Sequence, residues 1–237
     1  MVNSDRRIFL KGSAALGAAA AVASVAATAS AANETTAKAA FTYAPKPLPF
    51  EPAKIKGFSE KILTSHYENN YGGAVKRLNA INDQLAGLDW DKAPGFVING
   101  LKREELIATN SMILHEIFFA GLGEPNQPGT ALAAAITRDF GGMDKWHGEF
   151  VAMGKALGGG SGWVLLTYSP RDKRLSNTWA ADHTMTLAGG EPILALDMYE
   201  HAYHMDFGAK AGDYVTAVMN TLDWTNADRL YDRASKA

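Results

Sequence analysis

Asp197 and His201 stand four residues apart in Leu196-Asp197-Met198-Tyr199-Glu200-His201-Ala202-Tyr203, with a second acid and aromatic residues around them. Two further histidines, His66 and His115, lie upstream in stretches that read as helical. Three imidazoles and one carboxylate suit a redox-capable first-row metal ion. Asp-x-x-x-His alone discriminates little, because a surface ion pair or a hydrogen-bonded core histidine shows the same spacing. The weight falls on whether distant segments can be brought together.

The elements that must do this are legible in the residue pattern. A helical pattern runs over residues 59–85, with Ser59 as its N-cap before Glu60 and the pair Gly72-Gly73 as a point of loosening. A second runs over residues 103–122 and ends at Gly123. Together they predict an antiparallel helical hairpin, followed by the interdomain turn Gly123-Glu124-Pro125-Asn126-Gln127-Pro128-Gly129. Helical stretches at 131–140 and 143–157 follow. The period then changes: residues 163–168, 175–180 and 193–196 read as strands, the first two joined through Ser169-Pro170-Arg171-Asp172. Helices return near His201 and from Gly212.

Several of these segments, in order, resemble the iron/manganese superoxide dismutases. Asp197-x-Tyr199-Glu200-His201-Ala202-Tyr203 is similar to the family's C-terminal metal signature, with Tyr199 where a Trp is usual. Leu63-Thr64-Ser65-His66-Tyr67 and Leu114-His115-Glu116-Ile117-Phe118-Phe119 resemble its first two ligand segments, and Gly160-Ser161-Gly162-Trp163 its first sheet strand. The resemblance runs from about Leu48 to Trp224. It implies an α+β fold, an N-terminal antiparallel helical hairpin followed by a C-terminal α/β domain with a three-stranded antiparallel sheet. The domains expected are 48–125 and 126–237.

The resemblance implies one iron or manganese ion per subunit, held by His66, His115, Asp197 and His201, and a superoxide dismutase reaction yielding dioxygen and hydrogen peroxide. It also implies a group hydrogen-bonded to a solvent ligand of the ion. The family draws that group from four residues before the second ligand, where Ser111 stands, or from the hairpin before the third, where His183 is the expected catalytic residue and the spacing to Asp197 also allows Asp182. A homodimer is implied too, with Glu200 reaching the partner's ligand histidine. Asn70 and His204 stand where the family pairs a His and a Tyr across the interface, and Ala74 where it carries a gateway Tyr. These departures keep two other readings open: a metal-binding homologue with little turnover, and a metal-dependent oxidase or peroxidase with a widened funnel.

Composition narrows the rest. The 237 residues are 47% hydrophobic and 20% charged, with net charge −2, so nothing favours nucleic acid or an anionic membrane as partner. There is no cysteine, which removes disulfides, thiolate ligands and a cysteine nucleophile. Arg6-Arg7-Ile8-Phe9-Leu10-Lys11, followed by an Ala/Gly/Val-rich run and Ala29-Ser30-Ala31, reads as a twin-arginine signal peptide over residues 1–31. A linker over 32–47 would follow. Export to the periplasm is the expectation, with no membrane attachment after cleavage.

Overall fold

The computed structural model describes residues 41–236. These lie within one compact unit, Ala37–Ala237. The expected signal peptide and residues 32–40 of the expected linker fall outside the described residues. Residues 41–46 lie against the hairpin. The Tyr43 N–H donates to Asn79 Oδ1 at 2.8 Å, and the Lys46 N–H donates to the Tyr71 hydroxyl at 2.7 Å.

The first long helix is three pieces. α1 (Glu60–Ser65) begins where Ser59 Oγ accepts the Ile62 N–H at 3.1 Å, as the N-cap pattern predicts. A π-helical turn, His66–Tyr71, follows, and α2 (Gly72–Ala86) continues from it. The irregularity therefore precedes the Gly72-Gly73 pair, and it begins at His66 itself; π turns are often found at functional sites. α3 (Gly95–Ala120) starts eight residues before the predicted Arg103. Asn99 and Gly100 are poor helix formers, yet the helix runs through them from Pro94 at its N-cap, so the extra turns go against local propensity. α2 and α3 pack together as the expected hairpin.

α4 (Thr130–Phe140) and α5 (Met143–Ala156) lead into β1 (Trp163–Ser169), β2 (Arg174–Ala180) and β3 (Glu191–Asp197), which form an antiparallel sheet in the order β2-β1-β3. β1 is buried along its whole length, as the apolar run Trp163-Val164-Leu165-Leu166 demands of a central strand. Three further helices close the chain: α6 (His204–Phe207), α7 (Ala211–Asn220) and α8 (Thr225–Lys236). α3 and α8 pack on β3, α4 on β2, and α5 on β1. No helix among the described residues is long and apolar enough to cross a membrane.

The register of the sheet places the chemistry. Trp163 pairs with Ala180 on one side and with Asp197 on the other, so all three stand at one end of the sheet. His183 follows three residues beyond that edge and His201 four. Gly162, just before Trp163, has φ +133°, and a Cβ there would lie 2.3 Å from the Ala180 carbonyl oxygen. Its own carbonyl accepts the Met198 N–H at 2.9 Å. Only glycine permits this close stacking of the three strand ends.

Candidate metal centre

His66 comes from the π turn, His115 from α3, Asp197 from the end of β3 and His201 from a 3-10 turn, Glu200–Ala202. The four-residue spacing of Asp197 and His201 is thus a strand end followed by a tight turn, and not a helix face. The four ligand atoms all lie within 4.8 Å of one another. Asp197 Oδ2 is 3.1 Å from His66 Nε2, 3.2 Å from His201 Nε2 and 3.5 Å from His115 Nε2. His66, His115 and Asp197 are buried, and His201 is half-buried.

The surrounding hydrogen bonds show what this cluster is built to hold. His115 Nδ1 lies 2.6 Å from the Ser111 carbonyl oxygen, which can only accept, so Nδ1 carries the proton. Its Nε2 is then a buried lone pair without a hydrogen-bond partner. It faces a carboxylate oxygen, and two electron-rich atoms at 3.5 Å repel each other unless a cation lies between them. Three imidazole nitrogens and one carboxylate oxygen are a donor set for iron or manganese, and the residues present fit such an ion. Asp197 is held at two points, one on the side chain and one on the backbone. Its Oδ1 accepts the Tyr199 N–H at 2.9 Å, and the Tyr214 hydroxyl donates to its backbone carbonyl at 2.6 Å.

Burial and hydrogen bonding together set the protonation states. It pushes the His66 imidazole down, and it pushes His115 down to about 3, aided by the neighbouring His66. Burial alone would raise the Asp197 carboxyl, but hydrogen bonds from His201 and His66 outweigh it and hold the group below the usual carboxylate range. Two neutral imidazoles and an ionised carboxylate at neutral pH are the forms that bind a metal.

Aromatic rings wall the cluster. The His66 ring lies 5.2 Å from Phe118 and 5.0 Å from Phe119, and the His115 ring 5.3 Å from Trp163. Tyr199 is sandwiched between His183, at 4.8 Å, and His201, at 5.3 Å. His183 is half-buried, 6.1 Å from His115 ring to ring. The Trp163 indole N–H donates to His183 Nδ1 at 3.0 Å. An indole N–H can only donate, so neutral His183 carries its proton on Nε2.

The structure brings His66, His115, Asp197 and His201 together and sets His183 beside them. Glu200 and His204 are exposed and Asn70 half-buried, and none makes a side-chain hydrogen bond to any described residue. Ser111 does not reach the cluster from its side chain alone; its carbonyl and hydroxyl, at 2.6 and 3.3 Å, hold His115 Nδ1. The i,i+4 spacing of Ser111 and His115 could have revealed this. Tyr214 and Asn110, whose side-chain amide donates to the His183 carbonyl at 2.6 Å, left no such trace.

The chain is similar to known proteins over most of its described length. Residues 128–230 match the model of the iron/manganese superoxide dismutases, C-terminal domain. A superoxide dismutase (Fe) of Cupriavidus metallidurans is 67% identical over 185 residues, covering 78% of this chain and 94% of the relative. A superoxide dismutase (Mn) of Haloferax volcanii is 34% identical over 81% of this chain and 97% of its own. A superoxide dismutase (Fe) of Aquifex pyrophilus is 30% identical over 79% and 90%.

Proposed function

We propose that in this chain, which belongs to the iron/manganese superoxide dismutase family and is a superoxide dismutase, His66, His115, Asp197 and His201 are the ligands of the catalytic ion and His183 is its outer proton donor. The observation that carries the reading is the orphaned Nε2 of His115, facing Asp197 Oδ2 at 3.5 Å inside a ring of four donors. The ion, iron or manganese, supplies the one-electron couple by which two superoxide anions and two protons become dioxygen and hydrogen peroxide. The high identity to an iron enzyme supports iron as the resident ion.

The chain's own residues supply charge, orientation and protons. The Asp197 carboxylate offsets part of the charge of the ion; the Tyr199 N–H orients the carboxylate, and the Tyr214 hydroxyl anchors the backbone that carries it. The Ser111 carbonyl fixes the His115 tautomer, which leaves Nε2 as the donor. Phe118, Phe119 and Trp163 pack against the His66 and His115 rings, and such an apolar wall strengthens the electrostatic interactions inside. His183 holds a transferable proton on Nε2 at the edge of the cluster, because Trp163 occupies Nδ1.

Two wider features belong to the same reading. Glu200, exposed and next to His201, supports a homodimer in which its carboxylate orients the ligand histidine of a second copy; Asn70 and His204 would face each other there. The Arg6-Arg7 pattern supports export to the periplasm, and sequencing the N-terminus of periplasmic protein tests it. Replacing Asp197 with Ala tests the ligand set. The purified variant should lack stoichiometric iron and manganese, whereas full occupancy would refute the assignment.

A further inference from the structure

We infer that Asn110 is a positioning residue for the dismutase reaction, tying the segment that carries His183 to the helix that carries His115. The inference rests on the reading of His183 as outer proton donor. His183 lies in residues 181–190, between β2 and β3, where no regular ladder holds the backbone. Its ring is held by Trp163 Nε1 at 3.0 Å and by stacking on Tyr199. The turn around it is local: Asp182 Oδ1 accepts the Thr184 N–H at 2.7 Å and the Thr184 hydroxyl at 2.5 Å. Both sets of contacts come from the sheet half of the molecule.

Asn110 reaches the segment from α3 instead. Its Nδ2 donates to the His183 carbonyl oxygen at 2.6 Å, across 73 residues of chain. The next residue, Ser111, accepts the His115 Nδ1–H through its carbonyl at 2.6 Å. Successive residues of one helical turn therefore set the two rings whose centroids are 6.1 Å apart, one through a backbone carbonyl and one directly. Any shift of α3 carries both together, and the distance between proton donor and ligand stays constant. Without the Asn110 amide, the His183 ring keeps its indole partner but its backbone is free to drift relative to His115.

The test uses full-length protein loaded to one ion per chain, in the variants Asn110→Asp, Asn110→Ala, His183→Ala and the double Asn110→Ala/His183→Ala. Asp keeps the shape and removes the donor; Ala removes the donor without placing a carboxylate against a carbonyl. Dismutation rate, reduction potential of the bound ion and affinity for azide are measured on each. Asn110→Ala should lower the rate by about 10-fold, the low end of what an outer-shell partner controls. It should move the potential and azide affinity in the direction that His183→Ala moves them, with metal content retained, and the double variant should match His183→Ala alone. Additive effects in the double variant, or an unchanged potential and azide affinity in both Asn110 variants, would overturn the inference while leaving His183 in its role. If His183→Ala itself leaves potential and azide affinity unchanged, the reading of His183 falls and the inference with it.

Discussion

Replacing Trp163 with Phe separates the packing role of the indole from its role toward His183. Trp163 is fully buried, so trimming it to phenyl removes buried apolar volume worth about two methylene equivalents, or about 1.6 kcal/mol. The variant also loses the 3.0 Å bond to His183 Nδ1, worth about 1 kcal/mol net at a half-buried acceptor. Together these predict a loss of about 2–3 kcal/mol in urea unfolding. The functional effect should be larger in proportion. With Nδ1 released, neutral His183 can carry its proton on either nitrogen, and the fraction with Nε2–H falls. Dismutation by the metal-loaded variant should drop by about 10–100-fold, the range for lost outer-shell partners. A rate within twofold of the parent, with the stability loss present, would show that the indole only packs. That result would refute the tautomer argument for His183.

Other outcomes follow from the same geometry. For the metal-free protein, the folded His115 titrates at about 3 against an ordinary value of 6.5, so the unfolded chain binds the extra proton between those values. Stability is then complete above about pH 6.5 and falls as the pH drops toward 3, by up to about 5 kcal/mol at 1.4 kcal/mol per pH unit, readable as a falling Tm; the depressed Asp197 adds a loss of the same sign below its ordinary range. Gly162→Ala places a Cβ 2.3 Å from the Ala180 oxygen at φ +133°, and should cost about 2–5 kcal/mol and reduce bound metal. Gly73→Ala meets nothing within 4 Å on α2 and should stabilise by about 0.5–1 kcal/mol, both changes being checked by chemical unfolding. Sizing by light scattering should give a dimer at micromolar concentration and a weakened one for Glu200→Ala; a monomeric parent protein would contradict the interface reading.

The four residues of the cluster were legible because they sit in three local patterns, and those three in the right order, with a fourth at the first strand, are hard to produce by chance. The three strands were legible for a simpler reason: Trp163-Val164-Leu165-Leu166 and Ile193-Leu194-Ala195-Leu196 are apolar runs too short for helices and bounded by turn residues. The π turn at His66–Tyr71 was not, because its residues suit an α-helix equally well and the extra residue shows only when Gly72 N–H reaches back to the Tyr67 carbonyl. The first two turns of α3 were hidden by Asn99 and Gly100, whose low propensity is overridden in the folded chain. The bonds from Trp163 and Asn110 to His183 cross 20 and 73 residues, and no periodicity reports a contact of that kind.

The contact between His66 and Asp197 spans 131 residues, and that separation governs the order of assembly. Closing a flexible loop of that length costs about 4 kcal/mol of chain entropy before any contact at the site repays it. The helical hairpin and the sheet each form from neighbours near in sequence and face smaller costs. Contacts so remote in sequence slow folding and form late. Asp197 is the last strand residue of β3, and Tyr214, which holds its carbonyl, lies 17 residues further on. A ribosome-bound chain therefore has no complete donor ring until His201 has emerged. Uptake of the ion is accordingly a reporter of finished tertiary structure, and its rate in refolding experiments should follow the slowest step of chain closure and not the rate at which helix or sheet appears.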